Sequence, residues 1–200
     1  MGTIQDDYDE ARRVMQLSKA WEKIPLKKGV DSGRYPALKD QLGNAKHEEY
    51  EAVDFIIEQA HGQKGSPLIL APVGKLTNIA LAFEKDPSVI DKVKVIWLGG
   101  NYFGKDGPDG EHNLKHDTDS YNAVIESGVD FTMVTVRYGA PSGTDAVAVH
   151  VNDIKSRMPG LGPVAILLKE DMVDHLPASE TTPSTCLQTI QKAPGLCLIW

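Results

Sequence analysis

Three short polar stretches each follow an apolar run, and they hold the residues best suited to chemistry. The first is Thr77-Asn78. The second begins at Gly99-Gly100-Asn101 and continues to Glu111-His112-Asn113. The third holds Arg137, Tyr138, Ser142, Thr144 and Asp145. Glu111 and Asn113 stand two apart, and in an extended segment their side chains project to the same side. A carboxylate beside an amide both accepts and donates hydrogen bonds, which suits the neighbouring hydroxyls of a sugar. His112 and His116 have the i, i+4 spacing of helical metal ligands, but the residues between them precede the next helical pattern, so that spacing is not reliably helical. Plainer roles exist for all of these residues. Thr77 is a good helix N-cap. Gly99-Gly100 suits a tight turn, and no G-x-G-x-x-G phosphate fingerprint follows it. Glu111 and Asn113 would be ordinary solvated residues of a Gly-rich loop.

The elements that must position these stretches follow from hydrophobic spacing. Asp7 and Glu10 have capping-box spacing, and Ala11, Val14, Leu17 and Trp21 then recur at helical intervals up to Pro25. Asp6, Asp7 and Asp9 read as cap and first-turn charges. Residues 26–45 carry Gly29, Gly33, Pro36 and Gly43 and predict a long loop. A second helix is predicted over 46–61, with Tyr50, Val53, Ile57 and Ala60 inward and Gly62 as its stop. Leu68–Val73, Val93–Leu98 and Phe131–Val136 are apolar runs of the kind found in strands covered on both faces. Helices are predicted between them, at Ile79–Phe83 and Asp117–Ser127, the latter with Gly128 just past its end. This alternation predicts an α/β fold: a mainly parallel sheet flanked by helices, whose strands end on one side, where ligands of such sheets bind. A short helix is expected near 152–157, and the remaining residues show no continuation of the sheet. The expected organisation is a partial α/β domain over 1–165 and an irregular tail over 166–200.

Bulk properties narrow the function classes. The chain has 200 residues, 24% of them charged, with a formal net charge of -7. An acidic balance argues against nucleic acid, whose partners present a basic face. There is no apolar run of about 18 residues, so no membrane-spanning helix is expected. The start lacks the basic and apolar regions of a secretory signal. Cys186 and Cys197 are too few for a disulfide framework, so a reducing, cytoplasmic setting is expected.

The segment Pro67-Leu68-Ile69-Leu70-Ala71-Pro72-Val73-Gly74-Lys75-Leu76-Thr77-Asn78-Ile79-Ala80 resembles that of the inosine/uridine-preferring nucleoside hydrolases, with Lys75 where the family usually has proline. Val95–Gly100 is similar to the family's strand ending in Gly-Gly, and Glu111-His112-Asn113 with Asp117 to its Glu-x-Asn segment. Asp86-Pro87, Ser127-Gly128-Val129 and Thr132-Met133-Val134 follow in family order, and the likeness covers roughly residues 45–140, with a weaker one from Asp9. The resemblance implies hydrolysis of the N-glycosidic bond of ribonucleosides to base and ribose. It implies a Ca2+ ion holding ribose hydroxyls and the attacking water, an aspartate ligand as general base, and a small-molecule nucleoside as the partner, in a chain that can form homo-oligomers. Carried over by position, Thr77 supplies a backbone carbonyl to the metal, and Glu111 and Asn113 hold the ribose.

Two family features have no counterpart at the expected places. No Asp-x-Asp-x-x-x-Asp-Asp cluster follows a strand, and Asp174-His175 has the reverse order of the family's late His-Asp pair. The general base is therefore unassigned. The chain resembles a family member without its first strand and last third, and the expectation is a marginally stable protein with little turnover. The competing expectations are a non-catalytic sugar- or nucleoside-binding module using Glu111 and Asn113, and a nucleotide-binding oxidoreductase domain using Gly99-Gly100.

Overall fold

A computed structural model of the chain describes residues 3–20, 22–42, 50–101, 111–136 and 150–170. The apolar runs form three strands: β1 (Leu68–Leu70), β2 (Val93–Asn101) and β3 (Asp130–Val136). They pair in the order β1-β2-β3, both pairs parallel, with Leu70 opposite Val95, and Leu98 opposite Val134. Parallel neighbours need a crossover, and helices supply it. Helix α4 (Thr77–Lys85) joins β1 to β2, and α6 (Thr118–Glu126) joins β2 to β3. Helix α3 (Glu51–Gly62) precedes the sheet. The α/β reading of the sequence therefore holds.

Alternation along the strands decides where the core sits. Leu70, Val93, Val95 and Trp97 point to one face and pack with Val53, Ile56 and Ala60 of α3, Leu81 and Phe83 of α4, and Val124 of α6. Helix α4 is buried from Thr77 to Phe83, as expected of a helix that carries apolar residues all round. The other face shows Ile69 at 57% exposure and Val134 at 42%. Among the described residues, no helix is long and apolar enough to cross a membrane.

Several local expectations need correction. Helix α1 (Ile4–Leu17) starts one turn earlier than Asp7: the capping box is Thr3 with Asp6, whose Oδ2 accepts the Thr3 amide at 2.7 Å. It also stops well before Pro25, where Lys19 turns into the left-handed region at φ 57°. Its buried residue is Met15. In α3 the inward position is Ile56 rather than Ile57. The predicted loop contains α2 (Tyr35–Leu38) and a 3-10 turn, Lys39–Gln41. Tyr35 is buried and donates to Glu84 Oε1, so this segment packs under α4 instead of running free. Helix α7 (Val151–Arg157) matches expectation, and α8 (Pro163–Lys169) adds a helix across position 165.

The largest correction concerns Gly99-Gly100, which is not a turn after the strand. Strand β2 continues through both glycines to Asn101, with a register shift against β3 between Leu98 and Asn101. A Cβ on Gly99 would lie 2.1 Å from the Trp97 ring, and Gly100 has φ 73°. The pair therefore lets the strand bulge over a buried tryptophan.

Candidate functional site

The bulge at the end of β2 is tied down by Glu111. This residue caps the short helix α5 (His112–Lys115), accepting the amides of Asn113 at 2.8 Å and Leu114 at 3.1 Å. Its other contact reaches back to the strand, where Oε2 accepts the Gly100 amide at 2.9 Å. Glu111 is only 2% exposed, so the surface-loop reading of this residue is wrong. A buried carboxylate persists when charge-assisted bonds replace its water, and three backbone N–H donors do so here.

Asn113 sits inside α5, so Glu111 and Asn113 do not alternate along an extended segment. The amide Nδ2 donates to Leu98 O at 2.9 Å and to Val73 O at 3.1 Å. One side chain thus bridges the ends of β2 and of the β1 loop. That loop is held a second time by the Trp97 indole, which donates to Gly74 O at 2.8 Å. Thr77 is the first residue of α4, not its cap, which is Leu76. The Thr77 hydroxyl donates to Asp117 Oδ2 at 2.5 Å, and Ser120 donates to Oδ1 at 2.7 Å. These bonds gather the Thr77 and Asn113 regions at one rim of the sheet. The loop after β3, with Arg137, Tyr138, Ser142, Thr144 and Asp145, lies outside the described residues, as do Asp174, His175 and both cysteines.

The hydrogen-bond inventory restricts what a ligand can find. Both Asn113 amide protons are used, so only its Oδ1 is left for a ligand. A carboxylate offers roughly four lone-pair positions, and Glu111 has filled three with amides. Two acceptors remain, which suits a pair of hydroxyl donors better than the donor-acceptor pairing read from the sequence. The carboxylate bonded to Thr77 is similarly engaged, since both Asp117 oxygens hold hydroxyls. Calcium requires roughly six to eight oxygens, several of them carboxylates. Among the described residues, no three acidic, histidine or cysteine side chains are grouped to hold a metal. The donors described here do not fit the ion.

Charge near the rim comes from residues to which the sequence reading gave other roles. Asp7, in the first turn of α1, holds its proton more tightly than an ordinary aspartate because burial opposes its charge; Lys75 works against that, while Asp6 and Asp31 add to it. His112 and His116 stand edge to face, ring centroids 4.8 Å apart. Both are held below the ordinary imidazole value, first by burial and next by Lys75. The lysine replacing a family proline was visible in the sequence; its reach to α1 and α5 was not. Asp117 was legible as the start of a helix, but its bonds to the Thr77 and Ser120 hydroxyls were not.

A cavity of about 260 Å³ lies elsewhere, along β1 and between α1 and α3. Asp7, Tyr8, Leu26, Phe55 and Ile69 are among its lining, and Thr77, Glu111 and Asn113 are not. Its lining is mostly apolar, with Asp7, Lys27 and Gln59 as polar members, and the hydrogen-bonded rim is the stronger candidate for a sugar.

The fold and rim together define an α/β protein with a polar site at the carboxyl ends of its strands. A family profile described as inosine-uridine preferring nucleoside hydrolase matches residues 3–190, and the chain belongs to that family. The match continues past residue 165. Uridine nucleosidase 1 of Arabidopsis thaliana is 38% identical over 94 residues, covering 46% of this chain and 28% of that protein. The inosine-uridine preferring nucleoside hydrolase of Leishmania major is 28% identical over 155 residues, covering 72% of this chain and 48% of that protein. Among solved structures, a purine-preferring ribonucleoside hydrolase from Gardnerella vaginalis superposes with a TM-score of 0.52 at 24% identity, over 70% of this chain and 49% of that one, which supports the fold. The chain thus spans less than half the length of these relatives.

Proposed function

We propose that the rim binds the ribose of a nucleoside and serves hydrolysis of its N-glycosidic bond, releasing base and ribose. The observation that carries this reading is the bridging of both strand ends by Asn113, with Glu111 locked beside it. Together they fix two acceptor oxygens against a rigid sheet end, and neighbouring sugar hydroxyls donate to such a pair. Family membership supplies the reaction class. In the reaction, water adds at C1′ as the C–N bond breaks, and the bonding electrons leave with the base. The sugar passes through an oxocarbenium-like state, and the water's proton must be taken up by a carboxylate.

That carboxylate stays unassigned: among the described residues Glu111 and Asp117 are bound to amides and hydroxyls, and no other acidic side chain is placed beside Asn113. Ca2+ is expected from the family resemblance and would supply ribose chelation and water activation. The described donors do not form its site, so no step is routed through it here. Thr77 is proposed for that site only through its carbonyl, since its hydroxyl is committed to Asp117. The proposal keeps the partition into a domain over 1–165 and a tail over 166–200, the cytoplasmic setting and self-association; limited proteolysis and sedimentation test the first and last.

Ribose release from inosine and uridine, with and without Ca2+, tests the function. The expected result is turnover far below that of full-length relatives and abolished by Asn113→Ala, which retains the fold by circular dichroism. Ribose binding in chelator without any hydrolysis would replace the enzyme by a binding module. Unchanged turnover in Asn113→Ala would remove the rim from the reaction.

A further inference from the structure

The rim holds a cluster of nitrogen bases that sugar binding does not use. Lys75 sits in the turn between β1 and α4, and His112 and His116 sit on α5. The turn and α5 are fastened together through Asn113, which donates to Val73 O at 3.1 Å, so the cluster is part of the fixed rim. The imidazole rings stand 4.8 Å apart between centroids and are half-buried, as is Lys75. We propose that Lys75, His112 and His116 form an anion subsite that takes the phosphate of a phosphorylated ribose, so that the rim accepts a nucleoside monophosphate as well as a neutral nucleoside. The inference rests on the sugar-binding reading of the same rim and names a further substrate class for it.

The charged groups around the cluster support an anion over a cation. Glu111 faces both imidazoles from the cap of α5, but its carboxylate is buried and bound to three amides. Asp7 faces Lys75 from α1, with Asp31 and Asp6 behind it. Asp117 at the start of α6 is spent on Thr77 and Ser120. Lys115 adds positive charge beside His116. Asp7 is therefore the carboxylate that faces Lys75, and burial disfavours its charge. A lysine with three donors and two imidazoles matches the many acceptor oxygens of a phosphate monoester, and each such bond is charge-assisted.

The imidazoles also make the subsite respond to pH. Burial and Lys75 keep both rings neutral above their depressed values, which lie under the ordinary 6.5. A phosphate placed against them favours the protonated form. Binding should therefore draw in protons, strengthen as pH falls toward and below 6.5, and weaken above it.

Calorimetric titration of the full chain with uridine, uridine 5′-monophosphate and inorganic phosphate tests this. The expected result is at least tenfold tighter binding of the monophosphate than of uridine, net proton uptake across buffers of different ionisation enthalpy, and competition by inorganic phosphate against the monophosphate only. Lys75→Gln should erase the tenfold advantage and leave uridine binding unchanged, while Lys75→Arg should retain the advantage. If Lys75→Gln does not fold, His112→Asn with His116→Asn serves instead and should abolish the proton uptake. Equal affinity for uridine and its monophosphate would overturn the anion subsite and leave the ribose reading standing. Binding of neither would overturn both.

Discussion

The two ends of the sheet use the same residue types to opposite effect. At the carboxyl end, Glu111 and Asp117 are 2% and 4% exposed, and their oxygens are taken by amides and hydroxyls. At the amino end, Asp86 is partly exposed between Ser88 and His61. Lys92 donates to His61 Nδ1, which leaves the ring proton on Nε2 to face Asp86 at 2.7 Å. Pairing there costs little and contributes little, because water screens it. At the rim each bond replaces hydration that burial has removed, so losing one exposes the full desolvation cost of its partner. Preorganisation belongs to the end where the polar groups cannot fall back on water.

The largest expected break in this contrast is Glu111→Ala. Three amides lose their acceptor, and the cost should be about 3 kcal/mol by urea denaturation. A loss under about 1 kcal/mol would mean that water enters freely and the rim resembles the opposite end. Gly99→Ala comes next, at about 2 kcal/mol, because a methyl group would overlap the fixed Trp97 ring. Its near-ultraviolet tryptophan signal should change as well. Thr77→Val removes one donor from buried Asp117 and should cost about 1.5 kcal/mol while preserving shape. The smallest effect belongs to Asp86→Asn. Hydrogen bonds from His61 and then Ser88 hold the Asp86 carboxyl at about 2, against an ordinary 3.8. A depressed value stabilises the fold above 3.8 and loses that contribution as pH falls through about 2. The urea midpoints of wild type and Asp86→Asn should therefore differ slightly at pH 6 and converge near pH 2. A difference that persists at the acid end would show that Asp86 acts through its backbone cap to Ser88 instead.

Much of the layer order was legible because it depends on local repeats. The apolar runs at 68–73, 93–98 and 131–136 supplied the parallel strands, the first shortened to Leu68–Leu70, and the intervening helical patterns became α4 and α6. Helix ends were less legible, since α1 is capped by Thr3 and Asp6, a pairing that competed with the similar spacing of Asp7 and Glu10. At the site, Thr77, Glu111 and Asn113 were found as residues but misplaced as geometry. Glu111 looked like loop surface because its amide partners lie across the β2 bulge, and no spacing rule links position 111 to Gly100. Asp7 looked like a helix charge, which it is, and its neighbourhood with Lys75 depends on where α1 lies against the β1 turn.

By itself the sequence determined which segments could bury themselves and in what order they alternate. Hydrophobic periodicity acts between residues a few positions apart, and the chain carries that information directly. Only the tertiary structure decided which polar groups remain available to a ligand. That depends on bonds between residues 40 positions apart, such as Thr77 with Asp117 and Asn113 with Val73. A side chain's valence is finite, and whether the fold or a substrate uses it is settled when the chain closes on itself.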